Sequence, residues 1–156
     1  MSKICCFTGH RDIPLSDYEK VMTSLKTTVS SLIDEGYTVF RAGGAMGFDS
    51  IAALCILDFK AENPDIKLHL ILPCKNQDKY FSAPEKRAYQ FAIDRADDVI
   101  YMQNKYSNGV MQIRNRALVD GADICVAYIT RLTGGTYQTV NMARRAGLKV
   151  INVAKK

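Results

Sequence analysis

The chain has 156 residues, 47% of them hydrophobic and 24% charged, with a formal net charge of +5. That length suits one domain, here residues 1–156, large enough to bury a core without a metal or disulfide staple. The composition is that of an ordinary globular protein with no low-complexity tract or internal repeat, and the positive balance suits anionic ligands. Five cysteines occur (Cys5, Cys6, Cys55, Cys74 and Cys125), an odd number with no C-x-x-C pair. They point to a reduced, cytoplasmic protein. No signal peptide is visible and no apolar run approaches the length of a membrane span, so no membrane partner is expected.

Taken in order, Lys3–Phe7 reads as a short apolar strand that releases into Thr8-Gly9-His10-Arg11. Ser16-x-x-Glu19 has the form of a capping box. Behind it Val21, Leu25, Val29 and Leu32 recur at helical spacing until Gly36. Thr38–Arg41 is a second strand, followed by Gly43-Gly44-Ala45-Met46-Gly47-Phe48-Asp49 and a helix over roughly 50–61. That helix is apolar nearly all round, which predicts burial on more than one side and leaves room for a subunit interface. Leu68–Leu72 is a third strand, closed by Pro73.

A second capping box, Ser82-x-x-Glu85 with Pro84 in the first turn, opens a helix to about Ala96. Asp98–Met102 is the fourth strand, and a loop over 103–109 leads to a helix from Val110 to Asp120 that stops at Gly121. Asp123–Ile129 reads as a central, two-sided strand. Gly134-Gly135-Thr136 opens the last helix, with Thr136 as its N-cap; the helix ends at Gly147, and Val150–Val153 is the sixth strand. Six strands separated by five helices predict a Rossmann-like three-layer α/β sandwich around a mostly parallel six-stranded sheet.

Such sheets bind ligands beyond the carboxyl ends of their strands, near the reversal of strand order. The residues found there carry anion chemistry. Gly43, Gly44 and Gly47 lie between a strand and a helix, where backbone amides and the helix dipole favour a phosphate. Arg11 and Arg114 can balance its charge, and Asp49 can accept a ribose hydroxyl. Thr8, Gly9 and His10 fill the first loop, while Gly134, Gly135 and Thr136 form the third. Asn115 follows Arg114 on one helix, and Gln77 and Tyr106 sit in the loops after strands three and four. Each also has a plainer reading: a bracing histidine, a surface ion pair for Arg11, a solvated helix face at Arg114, a capping Asp49, or glycines that only allow close packing.

Several machines are missing. The sequence has no G-x-x-x-x-G-K-[ST] and no G-x-S-x-G. The first loop lacks G-x-G-x-x-G, which disfavours an ordinary NAD dehydrogenase. Only His10 and His69 supply imidazole, so no zinc site is expected.

FTGHR after the first strand, GGAMGFD after the second, Tyr106, Gly109, Arg114 and Asn115 in the fourth segment, and the closing GGT together resemble the YpsA-like family of the SLOG superfamily. The resemblance runs nearly the whole chain. It implies a Rossmann-like domain that binds a nucleotide or nucleotide-derived ligand, of ADP-ribose or nucleoside-phosphate type, with these motifs lining the pocket and a homodimer as the common assembly. The superfamily also contains LOG phosphoribohydrolases, whose signature is similar to PGG-x-GT-x-x-E. Setting Gly135-Thr136 on that GT puts Thr139 where the catalytic glutamate belongs, and Thr133 where the proline belongs. Threonine supplies neither charge nor a general base near neutral pH. The leading expectation is therefore a nucleotide-binding sensor or regulatory protein. An N-glycosidase using Asp49 as its catalytic acid–base group is the alternative. A single-stranded DNA module of the DprA type, suggested by Arg114-Asn115-Arg116, is the third reading.

Overall fold

Short runs of β-branched, aromatic and cysteine side chains bounded by turns form strands, the central ones buried on both faces and the edge strands partly exposed. In the computed structural model, which describes residues 2–154, six of them make one sheet. They are β1 (Lys3–Gly9), β2 (Tyr37–Ala42), β3 (Lys67–Cys74), β4 (Asp98–Gln103), β5 (Ile124–Tyr128) and β6 (Lys149–Asn152). Five helices alternate with them: α1 (Tyr18–Asp34), α2 (Phe48–Glu62), α3 (Ala83–Arg95), α4 (Val110–Val119) and α5 (Gly134–Arg145). The strand order is β4-β3-β2-β1-β5-β6, and every neighbouring pair is parallel. The expected Rossmann-like α/β sandwich is thus the observed one, with a sheet that is parallel throughout.

The chain lays down β1 to β4 in one direction, then returns to the other side of β1 to add β5 and β6. The order therefore reverses between β1 and β5, whose register pairs Phe7 with Val126 and Gly9 with Tyr128. Two cores follow from the alternation of side chains along the strands. On one face Phe7, Phe40 and Leu70 pack under α1, α2 and α3; on the other, Cys6, Ile71 and Cys125 pack under α4 and α5. Phe7 stacks at 6.1 Å on Phe40 and meets Phe48 edge-on at 6.3 Å, which joins α2 to the two central strands.

The structure corrects several local readings. Ser16 caps nothing: a 3-10 turn, Leu15–Asp17, precedes α1, and its N-cap Asp17 makes no side-chain cap bond. The second capping box is present in full, with Ser82 accepting from the Glu85 amide and Glu85 accepting from the Ser82 amide. Strand β1 runs two residues past Phe7, so Thr8 and Gly9 belong to the sheet rather than to a loop. Strand β3 continues through Pro73 to Cys74. Thr136 is not an N-cap, because α5 begins at Gly134 and its N-cap is Thr133. Most of the apolar surface of α2 packs against α1, α3 and the sheet, while Ile51 and Leu54 border an open groove beside α3.

Candidate ligand-binding site

A parallel sheet leaves a crevice where two adjacent strands send their chains in opposite directions. Here that place is the carboxyl end of β1 and β5, and a cavity of about 380 Å³ occupies it. Strand β1 and its continuation supply Thr8, Gly9, His10 and Arg11. Helix α4 supplies Arg114 and Asn115, and α5 supplies Gly134, Gly135 and Thr136. Asp49 reaches in from the first turn of α2. Ten of the residues singled out in the sequence thus share one cavity.

His10 is tightly held. Its amide donates to the Tyr128 carbonyl at 3.2 Å, its carbonyl accepts from Phe48 N at 3.2 Å, and its ring stands edge-on to Tyr128. Nε2 accepts from the Thr130 amide at 3.0 Å, which fixes the neutral tautomer with its proton on Nδ1. Burial, then the Arg131 charge, lower its pKa, while Asp12 opposes them. The imidazole ties the loop after β1 to the loop after β5.

Arg114 lies in the crevice, as its sequence position suggests. It sits on α4 at only 5% exposure. Its Nε donates to Asn115 Oδ1 at 2.9 Å, and Nη1 donates to the Gly43 carbonyl. Nη2 has no partner among the described residues, although the residue lines the crevice. A buried guanidinium normally spends its donors on carboxylates or carbonyls. This one keeps an amino group in reserve beside a cavity.

Asp49 is also 5% exposed, and its Oδ2 accepts from the Ala45 amide at 3.3 Å. Burial raises its pKa to about 6, against the opposing pull of Arg114, the Ala45 amide and Arg11. The same burial pulls Arg114 downward, while Asp49 holds it up. The two groups therefore stabilise each other's charged form in a poorly solvated place.

The N-terminus of α5 faces this polar cluster. Its N-cap Thr133 makes no side-chain cap bond, so the first amides are left to solvent or a ligand. A Cβ built on Gly134 or Gly135 would meet nothing within 4 Å. Thr139 is buried, and its Oγ1 donates to the Gly135 carbonyl at 2.9 Å, one turn back on the same helix.

The remaining residues fall outside the crevice. Gly44 and Gly47 border a neighbouring groove of about 390 Å³ between α2 and α3. Gly43 lines neither cavity: the space beside it holds the Arg114 guanidinium and the Asp49 carboxylate. Gln77 and Tyr106 line a third lobe of about 380 Å³. Arg11 and Ala45 border all three spaces, so the lobes meet around them. Asp12, Met111, Arg131 and Thr133 also line the crevice and were not anticipated. Arg131 pairs with Asp12 at 3.1 Å, with both side chains at least half exposed. Its place directly after a central strand and before a glycine pair is the signal that marks it. No helix of the described residues is long and apolar enough to cross a membrane.

The all-parallel sheet and the crevice at its reversal point define a doubly wound, Rossmann-like α/β protein. Comparison with known proteins narrows this. The chain belongs to the YspA SLOG family, whose model matches residues 5–146. It is similar to the uncharacterised SPbeta prophage-derived protein YoqJ of Bacillus subtilis strain 168, with 30% identity over 144 residues, covering 81% of this chain and 84% of YoqJ. It is also similar to the UPF0398 protein YpsA of the same strain, at 23% identity over 130 residues, covering 78% of this chain and 72% of YpsA. Among solved structures, DNA processing protein A of Helicobacter pylori, described for its single-stranded DNA binding mode, aligns with a TM-score of 0.67 at 18% identity. That alignment covers 95% of this chain and 63% of the other. DprA of Streptococcus pneumoniae aligns equally well, with a TM-score of 0.67 at 14% identity, over 96% of this chain and 49% of the other. The chain thus spans about half to two thirds of the DprA chains it matches.

Proposed function

We propose that the protein binds a nucleotide-type ligand through its phosphate in the crevice between β1 and β5, and that it acts as a binding or regulatory protein of the cytoplasm. The observation that carries this reading is Arg114: a buried guanidinium with an unpartnered amino group, in the same cavity as the uncapped start of α5. Cation, helix dipole and free backbone amides at one point favour an anion. Arg11 adds positive charge at the mouth, where Arg131 is paired with Asp12, and Asp49 offers an acceptor for a sugar hydroxyl.

The test is thermal melting and calorimetry with ribose 5-phosphate and nucleoside monophosphates on wild type, Arg114→Met and Arg114→Lys. Removing the guanidinium should weaken affinity roughly 30-fold, the scale of a lost charge-assisted pair. Arg114→Lys keeps the charge without the fork and should fall between the two. Equal affinity in all three proteins would refute the phosphate site.

A hydrolytic reading retains one observation in its favour: Asp49 is buried, lines the crevice and titrates at about 6, within reach of acid–base work near neutral pH. Against it, the position matching the LOG glutamate is Thr139, whose hydroxyl is engaged within its own helix. Release of free base from nucleoside monophosphates or ADP-ribose, abolished in Asp49→Asn, would establish hydrolysis. Binding without release is the expected result.

A further inference from the structure

The loops after β3 and β4 make the third lobe, beside the phosphate crevice, and its chemistry differs sharply. It is lined by Tyr80, Phe81, Tyr106, Asn76 and Gln77, and it reaches the crevice through Arg11. Two of these rings are turned outward: Tyr80 is 85% exposed, with Lys79 Nζ 5.3 Å from its ring centre, and Tyr106 is 61% exposed. Exposed tyrosines on separate loops, opening on one cavity, provide flat apolar surface for a flat guest.

Both loops are held in place before any ligand arrives. The Lys75 amide donates to the Asn104 carbonyl at 3.1 Å, which ties one loop to the other. Gln103 Nε2 donates to the Lys105 carbonyl at 2.7 Å and to Ser107 Oγ at 2.6 Å, bracing the chain on both sides of Tyr106. Gln77 accepts from the Tyr89 hydroxyl at 3.2 Å and donates to the Gly43 carbonyl at 3.3 Å. That carbonyl also receives Arg114, so the lobe and the phosphate crevice share a hydrogen-bonding node. The Asn76 amide has no side-chain partner among the described residues and presents a donor and an acceptor together. An asparagine edge of this kind matches the N6/N7 edge of an adenine.

The groove between α2 and α3 is the rival seat for a base. Its walls include Ile51, Leu54, Ala88 and Ala92, and its one carboxylate, other than Asp49 at the crevice boundary, is Glu85, already committed to the capping box. It offers apolar cover, with Ser50 and Tyr18 in its wall, but no side-chain amide to read the edge of a base.

We infer that the Tyr80–Tyr106 lobe is the base subsite for the same ligand, with the heteroaromatic ring stacked on the tyrosines and the sugar passing Arg11 and Ala45 toward the phosphate crevice. This inference rests on the phosphate reading above. It specifies an adenine-type nucleotide rather than a bare sugar phosphate.

The experiment compares AMP, GMP and ribose 5-phosphate by calorimetry on wild type, Tyr80→Ala/Tyr106→Ala and Asn76→Leu. Both tyrosines are exposed, so the double variant should fold as wild type does. The wild type should bind AMP at least tenfold more tightly than ribose 5-phosphate, the scale of one base stacked on an aromatic ring. The double variant should lose that advantage and leave ribose 5-phosphate unchanged. Asn76→Leu should shrink the preference for AMP over GMP. Should ribose 5-phosphate bind as well as AMP, or the double variant keep full AMP affinity, the base subsite is overturned while the phosphate site stands. If no probe binds, or only an oligonucleotide does, both fall.

Discussion

Two glycine-rich turns carry the chain from strand to helix in this protein, after β2 and after β5, and the fold uses them in opposite ways. In the first, the room left by each missing side chain is filled. A Cβ on Gly43 would stand 2.6 Å from Arg114 Nη1, one on Gly44 2.3 Å from Leu72, and one on Gly47 2.2 Å from the Arg11 carbonyl oxygen. In the second, Gly134 and Gly135 have no neighbour within 4 Å. The first turn is a packed joint that aims Arg114 and Asp49. The second is an open rim where the backbone itself is accessible. Similar motifs in sequence therefore mean different things: one builds the wall and the other leaves the door.

The strongest way to break this comparison is Gly47→Ala. Gly47 has φ of +78° and lies against backbone, not against a side chain that can turn away. Left-handed strain and overpacking together should cost about 3–5 kcal/mol. In a protein of this size that is a fall of roughly 10 °C or more in melting temperature. A loss below about 1 kcal/mol would show that the joint yields, and that the two turns do not differ as described.

Next in size is a pH-dependent effect at Asp49, the group the packed joint aims toward the open crevice. Its pKa is raised from the ordinary carboxylate value to about 6, because burial disfavours the charge. A raised acid stabilises the fold fully below its unfolded value, near 3.8, and that contribution is lost as pH rises through about 6. Asp49→Asn removes the titration while keeping an oxygen that can accept from Ala45. Relative to wild type, the variant should therefore gain about 2.4 kcal/mol between pH 4 and pH 8. His10 has the opposite sign: its lowered pKa lends stability above its unfolded value, lost as pH falls toward the folded one. The difference between variant and wild type isolates Asp49, since His10 is common to both. Denaturant melts across that range check it, and a difference that does not move with pH would place the carboxylate in water rather than in the protein.

These effects also show which features a sequence reader can see. Alternating strands and helices were legible because two-sided apolar runs such as Cys125–Tyr128 and the face of Val21, Leu25, Val29 and Leu32 state their burial directly. The reversal of strand order was not, since only the completed sheet shows that β5 lies beside β1. Arg114 was visible as a charge, but its burial depends on Gly43, 71 positions earlier in the chain. Ser16 failed as a cap and Ser82 succeeded from the same four-residue pattern. At Ser82 an extended residue with ψ of 167° leads straight into the helix, whereas Ser16 lies inside a 3-10 turn that precedes α1. Arg131, a lone arginine in a loop, carries no periodic signal, and only its place between a central strand and a glycine pair marks it.

The smallest effect is the most informative about function. Gly135 lies in the first turn of α5 with no positive φ and no neighbour near its absent Cβ. Alanine there should improve helix propensity and restrict the unfolded chain, giving a gain of up to about 1 kcal/mol. Melting temperature should rise by roughly 2–4 °C. Affinity for a nucleoside monophosphate should fall at the same time, because the new methyl stands where a phosphate must approach the backbone amides. Stability and binding then move in opposite directions, which no packing role for this glycine produces. A destabilised variant would mean that the second turn is closed like the first. A more stable variant with unchanged affinity would mean that the phosphate lies elsewhere in the crevice, nearer Arg114 and Arg11 than the helix start.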